Sequence, residues 1–220
     1  MKAKKKTVRK FFSYRNCDDF AAYLNHMARQ GWHFREWRAG LVFEQGAPED
    51  SVYAVEVFTK AEETDTRPLP ETEEFAEYCE AAGWKLVDAN RKFVVFKRIR
   101  EDALPILTDE ERFEAISTTD GHSIWRWLGV SLAWCILQIL EFRSGFKYSI
   151  FRSRELIVAG TWFLLFVLAA GRAIQFLCWK RRCVRRMDRG LKLFFGRDAS
   201  DKWDLWLYLG ILAFQILSLA

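Results

Sequence analysis

The stretch Leu156–Leu177, LIVAGTWFLLFVLAAGRAIQFL, decides the architecture of this chain. A helix rises about 1.5 Å per residue, so the run is roughly 30 Å long, the thickness of a bilayer's hydrocarbon core. Its strongly polar residues, Arg172 and Gln175, lie near one end, where the Arg172 stem can snorkel toward the headgroups. Trp179 follows, and from Lys180 to Lys192 seven basic residues stand against one acidic. A tryptophan followed by dense Lys/Arg marks a cytoplasmic membrane edge. Apolar runs on either side of this one give three expected spans, at 124–141, 156–178 and 203–220, with a polybasic loop over 180–202. The last run, Leu205–Ala220, is short for a crossing and reads as a span or as a re-entrant or interfacial helix. Lys180, Arg181, Arg182, Arg185, Arg186, Arg189 and Lys192 are the candidates for contact with anionic lipid headgroups. Each basic residue near such a surface gains about 1 kcal/mol.

The net charge of +5 conceals two opposite halves. Residues 1–123 carry 19 Lys/Arg against 23 Asp/Glu, a net of −4, and residues 124–220 carry 15 against 6, a net of +9. The basic excess belongs to the apolar half and points to a bilayer, not to direct nucleic-acid binding. The connection 142–155 holds four basic residues and the loop 180–202 holds nine, which makes the longer loop cytoplasmic and puts the N-terminal domain on the same side. The N-terminus is charged and lacks an apolar core, so no signal peptide is expected. Cys17, Cys79, Cys135, Cys178 and Cys183 are odd in number and form no CxxC pair, which argues for reduced thiols. His26, His33 and His122 lack metal-ligand spacing, so no metal and no cofactor is expected.

Working back to the N-terminal half, Val8–Tyr14 has strand composition. Asn16 or Asp18 can cap a helix over 19–30, whose apolar face is Phe20, Tyr23, Leu24, Met27 and Ala28 and which Gly31 ends. Strands Trp32–Arg38 and Leu41–Gln45 follow. The order then recurs: strand Val52–Thr59, a loop over 60–72, a helix over 73–82 stopped by Gly83, and strands Trp84–Asp88 and Lys92–Arg98. QGWHF at 30–34 aligns with AGWKL at 82–86, Tyr23 with Phe75 and Met27 with Cys79. The expected fold is therefore α+β. A tandem strand–helix–strand–strand repeat over 1–101 would form one antiparallel sheet of six strands with both helices on one face. An acidic linker over 102–123 and two or three transmembrane helices would follow. Aromatics fall on both faces of the strands, so the second face is either covered or forms a groove.

No GxSxG, HExxH or phosphate loop is present, and no catalytic set is expected. A ligand groove is the sharper reading. Trp32, Trp37, Tyr53, Phe58 and Trp84 would line it, and Glu36, Glu44 or Glu56 would supply charge for a cation. A cation over a partly desolvated ring gains roughly 0.5–2 kcal/mol. The plainer reading of Trp32 and Trp84 is that each fixes its helix to its strand, and of Glu56 that it faces solvent.

FAAYLNHMARQGWHF, LVFE, VYAVEVF, FAEYCEAAGWKLV and KFVVFKR together resemble the bacterial domain-of-unknown-function family DUF2812, over roughly residues 8–100. The resemblance rests mainly on the paired Gly-Trp motifs and brings no catalytic residues. It implies a cytosolic module joined to a few transmembrane helices and associated with PadR-type transcriptional regulators. The strand–helix–strand–strand order is also similar, in topology alone, to gyrase-inhibitor-like ligand-binding domains, which take cationic or aromatic ligands between their halves. The resulting expectation is a multi-pass protein of the bacterial inner membrane acting as a non-enzymatic sensor or adaptor. Its cytosolic domain would bind a small amphipathic or cationic ligand or a regulatory protein. The alternative is an accessory subunit of a membrane transporter.

Overall fold

A computed structural model of the protein describes residues 4–62, 70–143 and 153–196. The chain forms two units, one of residues 1–119 with 186–197 and one of residues 120–185 with 198–220.

The first unit is α+β. Its elements run β1 (Lys5–Val8), α1 (Cys17–Arg29), β2 (Trp32–Trp37), β3 (Leu41–Gln45), β4 (Tyr53–Val57), α2 (Pro70–Ala81), β5 (Trp84–Asn90) and β6 (Phe93–Arg98). A 3-10 turn at Tyr14–Asn16 leads into α1. The first strand lies earlier than its composition suggests, at 5–8 in place of 8–14, because Lys5–Val8 is the segment that pairs with β3. The strands form two three-stranded antiparallel sheets, β1-β3-β2 and β4-β6-β5, in place of a single sheet of six. Each sheet has the last strand of its half in the centre. Both helices end on a glycine that takes a positive φ, Gly31 at 78° and Gly83 at 96°, where a side chain would be strained. Each half also carries one register shift, between Phe34 and Glu36 in β2 and between Leu86 and Asp88 in β5.

The helices do not share one face. Phe93 and Val94 are adjacent in β6, so the pleat sends them to opposite sides, and both are buried. Phe93 meets Phe20 of α1 at 5.9 Å between ring centroids, while Val94 and Phe96 pack with Cys79, Phe75 and Ala76 of α2. The second sheet is thus covered on both faces, which is why β6 reads as a continuous apolar run with no alternation.

Helix α3 (Asp109–Arg143) starts fifteen residues before the expected span at 124, so residues 109–123 are helix, not linker. Thr108 and Glu111 fix that start as a reciprocal cap: the Thr108 backbone N–H donates to the Glu111 carboxylate at 2.8 Å, and the Glu111 N–H donates back to the Thr108 hydroxyl. Helix α4 (Ser153–Met187) continues through the basic cluster, so Lys180–Arg186 lie on a helix and the loop begins only at Asp188. In the second unit the two helices run antiparallel: the Trp134 and Trp162 rings stack at 4.9 Å, and Phe176 lies so close to Gly121 that a Cβ there would sit 3.2 Å from its ring. Both helices are long and apolar enough to cross a membrane. Ile139, Leu140, Phe163 and Ile174 are among the apolar side chains they leave exposed, as lipid-facing positions would be. The expected third span at 203–220 lies outside the described residues, as does the connection at 144–152.

Candidate functional site

The eight expected groove residues each engage a different neighbour. Trp32 carries the Lys6 ammonium over its ring at 5.4 Å. Trp37 stacks on Phe93 at 5.5 Å and meets Phe20 edge-on. Glu36 pairs with Arg38 at 2.9 Å and Glu44 with Arg35 at 2.8 Å. Phe58 stacks on Phe75. Tyr53 is buried, and its backbone N–H donates to the Asn25 side chain at 2.7 Å. Trp84 is buried with its indole N–H donated to the Leu104 carbonyl at 2.6 Å, which joins β5 to the segment before α3. That is the core role its position after Gly83 suggested.

Glu56 departs furthest from its expected place. Only 7% exposed, it does not face solvent. The Arg112 Nε of α3 donates to its Oε2 at 2.9 Å, and the Arg112 Nη2 donates to the Asp18 Oδ1 of α1 at 2.7 Å. One guanidinium therefore ties together β4, α1 and α3, using the rigid fork that lets arginine serve two carboxylates at once.

The same cluster captures the chain beyond α4. Asp18 accepts the Phe195 backbone N–H on Oδ2 at 2.7 Å and donates its own N–H to the Phe195 carbonyl at 2.9 Å. Asp109, the first residue of α3, accepts the Leu193 N–H at 2.9 Å. Phe195 is fully buried and its ring lies 5.0 Å from the Arg112 guanidinium carbon. Asp18 thus serves the incoming segment and Arg112, while Asn16 holds the N-cap position of α1 without a side-chain capping bond.

Burial dominates the electrostatics of Glu56 and Cys79. It raises Glu56 to about 7, outweighing the attraction and hydrogen bond of Arg112, and the charges of Asp18 and Asp109 push the same way. Burial likewise raises the Cys79 thiol to about 11, with a smaller push from Glu56, which leaves it a protonated, inert core residue. Among the basic candidates for lipid contact, Lys180, Arg181, Arg182, Arg185 and Arg186 are on the last turns of α4, and Arg189 and Lys192 follow it.

Arg112 lies within 102–123, where acidic composition predicts a linker. The Thr108-x-x-Glu111 pattern, a capping box just before an apolar patch, is the sequence signal that places it on a helix.

Two comparisons, with curated proteins and with solved structures, find no match. A third finds that residues 16–122 match the family described as a protein of unknown function (DUF2812). The matched region runs from the start of α1 to the first turns of α3 and contains Asp18, Glu56 and Arg112. Over that region, the chain is similar to the DUF2812 family.

Proposed function

We propose that the protein is a non-enzymatic, membrane-anchored sensor or adaptor, whose α+β domain binds a small ligand or a regulatory protein in the cytosol and passes that state to its apolar helices. The observation that supports this is the clamp on Asp18. Through Arg112 it holds the first turn of α3, and through Phe195 it holds the segment that follows α4. A change of packing inside the domain is therefore felt by both chain segments continuous with the helices.

Finer features belong to the same reading. The two halves of the domain are a tandem repeat, supported by the matched glycines Gly31 and Gly83 and by the register shift that follows each Gly-Trp. The Lys/Arg excess of 180–202 supports a cytoplasmic position for the domain at the inner membrane, with Lys180–Arg186 toward anionic lipid. An amphipathic cation and a PadR-type regulator are the ligand and partner to test first.

The test uses the full chain in detergent. Thermal melts against amphipathic cations and neutral aromatics detect a ligand, since binding at one hundred times the dissociation constant adds roughly 2.7 kcal/mol. Crosslinking in cells detects a protein partner. A melt shift, or crosslinks within residues 1–119, supports the sensor. A flat panel with crosslinks confined to 124–220 overturns it in favour of an accessory subunit of a transporter.

A further inference from the structure

We infer that the Glu56–Arg112–Asp18 cluster is a proton-operated latch, closing on the first turns of α3 and on the segment that follows α4 when Glu56 is protonated and loosening when it ionises. This goes beyond the ligand reading, because its input is the proton and it needs no ligand.

The argument is one of charge count and placement. Two carboxylates, Glu56 and Asp18, share the Arg112 guanidinium, and a third, Asp109, adds its negative charge at Glu56. From α2 the titratable group facing Glu56 is the Cys79 thiol, which is neutral, and across the sheet Glu56 stands opposite Val94. The incoming segment presents the Phe195 ring. The cluster thus holds more negative than positive charge in a buried place.

The three acids are not equivalent. Asp18 and Asp109 each sit in the first turn of a helix, where the dipole favours an anion, and each accepts a backbone N–H, from Phe195 and Leu193. Glu56 lies mid-strand with Arg112 as its hydrogen-bond donor. A proton entering the cluster therefore goes to Glu56. It leaves a balanced Arg112–Asp18 pair, with Asp18 free to keep its hold on Phe195. When the proton leaves, the excess negative charge is relieved by separating α3 and the 191–196 segment from β4, which lets water reach Glu56. Closing takes up one proton, so opening grows with pH.

The experiment is backbone amide hydrogen exchange on the full chain in phosphatidylcholine nanodiscs, with rates corrected for base catalysis. From about pH 6 to about pH 8 exchange in 109–119 and 191–196 should rise about tenfold in the wild type, the linkage of one proton. In Glu56→Gln, which keeps an acceptor for Arg112 but cannot ionise, those segments should stay protected across the range. A wild type without the rise, or a Glu56→Gln chain with the same rise, overturns the latch. If Glu56→Gln does not fold, a carbon-13 titration of the wild-type Glu56 carboxyl decides. A midpoint near neutrality that tracks the exchange supports the latch, and one in the ordinary carboxylate range overturns it.

Discussion

The backbone N–H of Trp37 donates to the Asp88 carboxylate at 2.6 Å, and this bond crosses the seam between the two three-stranded sheets. The Trp37 carbonyl is met from the same side by the Asn90 side-chain amide at 2.8 Å. β2 and β5 thus join through side chains, where a single six-stranded sheet would have used a backbone ladder. Asp88 and Asn90 supply the acceptor and donor that the absent ladder would have given.

Removing that acceptor strands a half-buried N–H. Asp88→Ala should destabilise the domain by about 1–3 kcal/mol, and Asp88→Asn by less. The pH dependence has a definite sign. Burial raises Asp88 to about 6, outweighing the hydrogen bonds from Trp37 and Ala89 that act in the opposite direction. The fold therefore prefers the protonated acid. That stability is fully present below the unfolded carboxylate value and is lost as pH rises through about 6. Urea midpoints of the wild type measured across this window should fall with pH, and Asp88→Asn should lack that part of the fall.

Arg112 holds two carboxylates that are largely out of water. Arg112→Met should cost about 3–5 kcal/mol, because Glu56 and Asp18 are then buried without their counter-charge. Adding Glu56→Gln to Arg112→Met should restore part of the loss, a coupling of about 0.5–3 kcal/mol read from a double-mutant cycle. Additive losses would show that the two residues act independently. Arg112→Lys should rescue poorly, since an ammonium cannot present the same fork.

Phe194 and Phe195 are neighbours with opposite fates, one 65% exposed and the other fully buried. Phe195→Ala should cost about 3–5 kcal/mol of domain stability, the range for a buried aromatic. Phe194→Ala should stay within about 0.5 kcal/mol. Chemical unfolding followed by a probe within residues 1–119 separates the two, and equal effects would mean that the 191–196 segment is not part of the domain's core.

The two helix-ending glycines should differ in their tolerance of a side chain. A Cβ at Gly31 would lie 2.8 Å from the backbone oxygen of Gly46, while one at Gly83 would lie 2.9 Å from the Ala103 side chain. Both positions have positive φ, which costs about 1–2 kcal/mol for an L-residue. Backbone yields less readily than a side chain on a connecting segment, so Gly31→Ala should lower the melting temperature more than Gly83→Ala.

What was legible in the sequence was local. The apolar face of α1 repeats within a turn of helix, Gly31 and Gly83 punctuate α1 and α2, and the run Leu156–Leu177 declares its length directly. Each of these signals is complete within one continuous stretch of chain, and each falls within or at the end of the helix it predicts. The Thr108–Glu111 cap was equally local and would have moved the start of α3 back to Asp109. Tertiary structure alone decided which strands pair and that α1 and α2 take opposite faces of β6. It also brought Asp18, Glu56 and Phe195 to the guanidinium of Arg112. Those four positions lie far apart along the chain and share no period. Nothing near Glu56 in sequence says that its partner sits 56 residues later on a helix. A carboxylate in an apolar strand announces only that burying it requires a counter-charge, and the fold decides where that charge comes from.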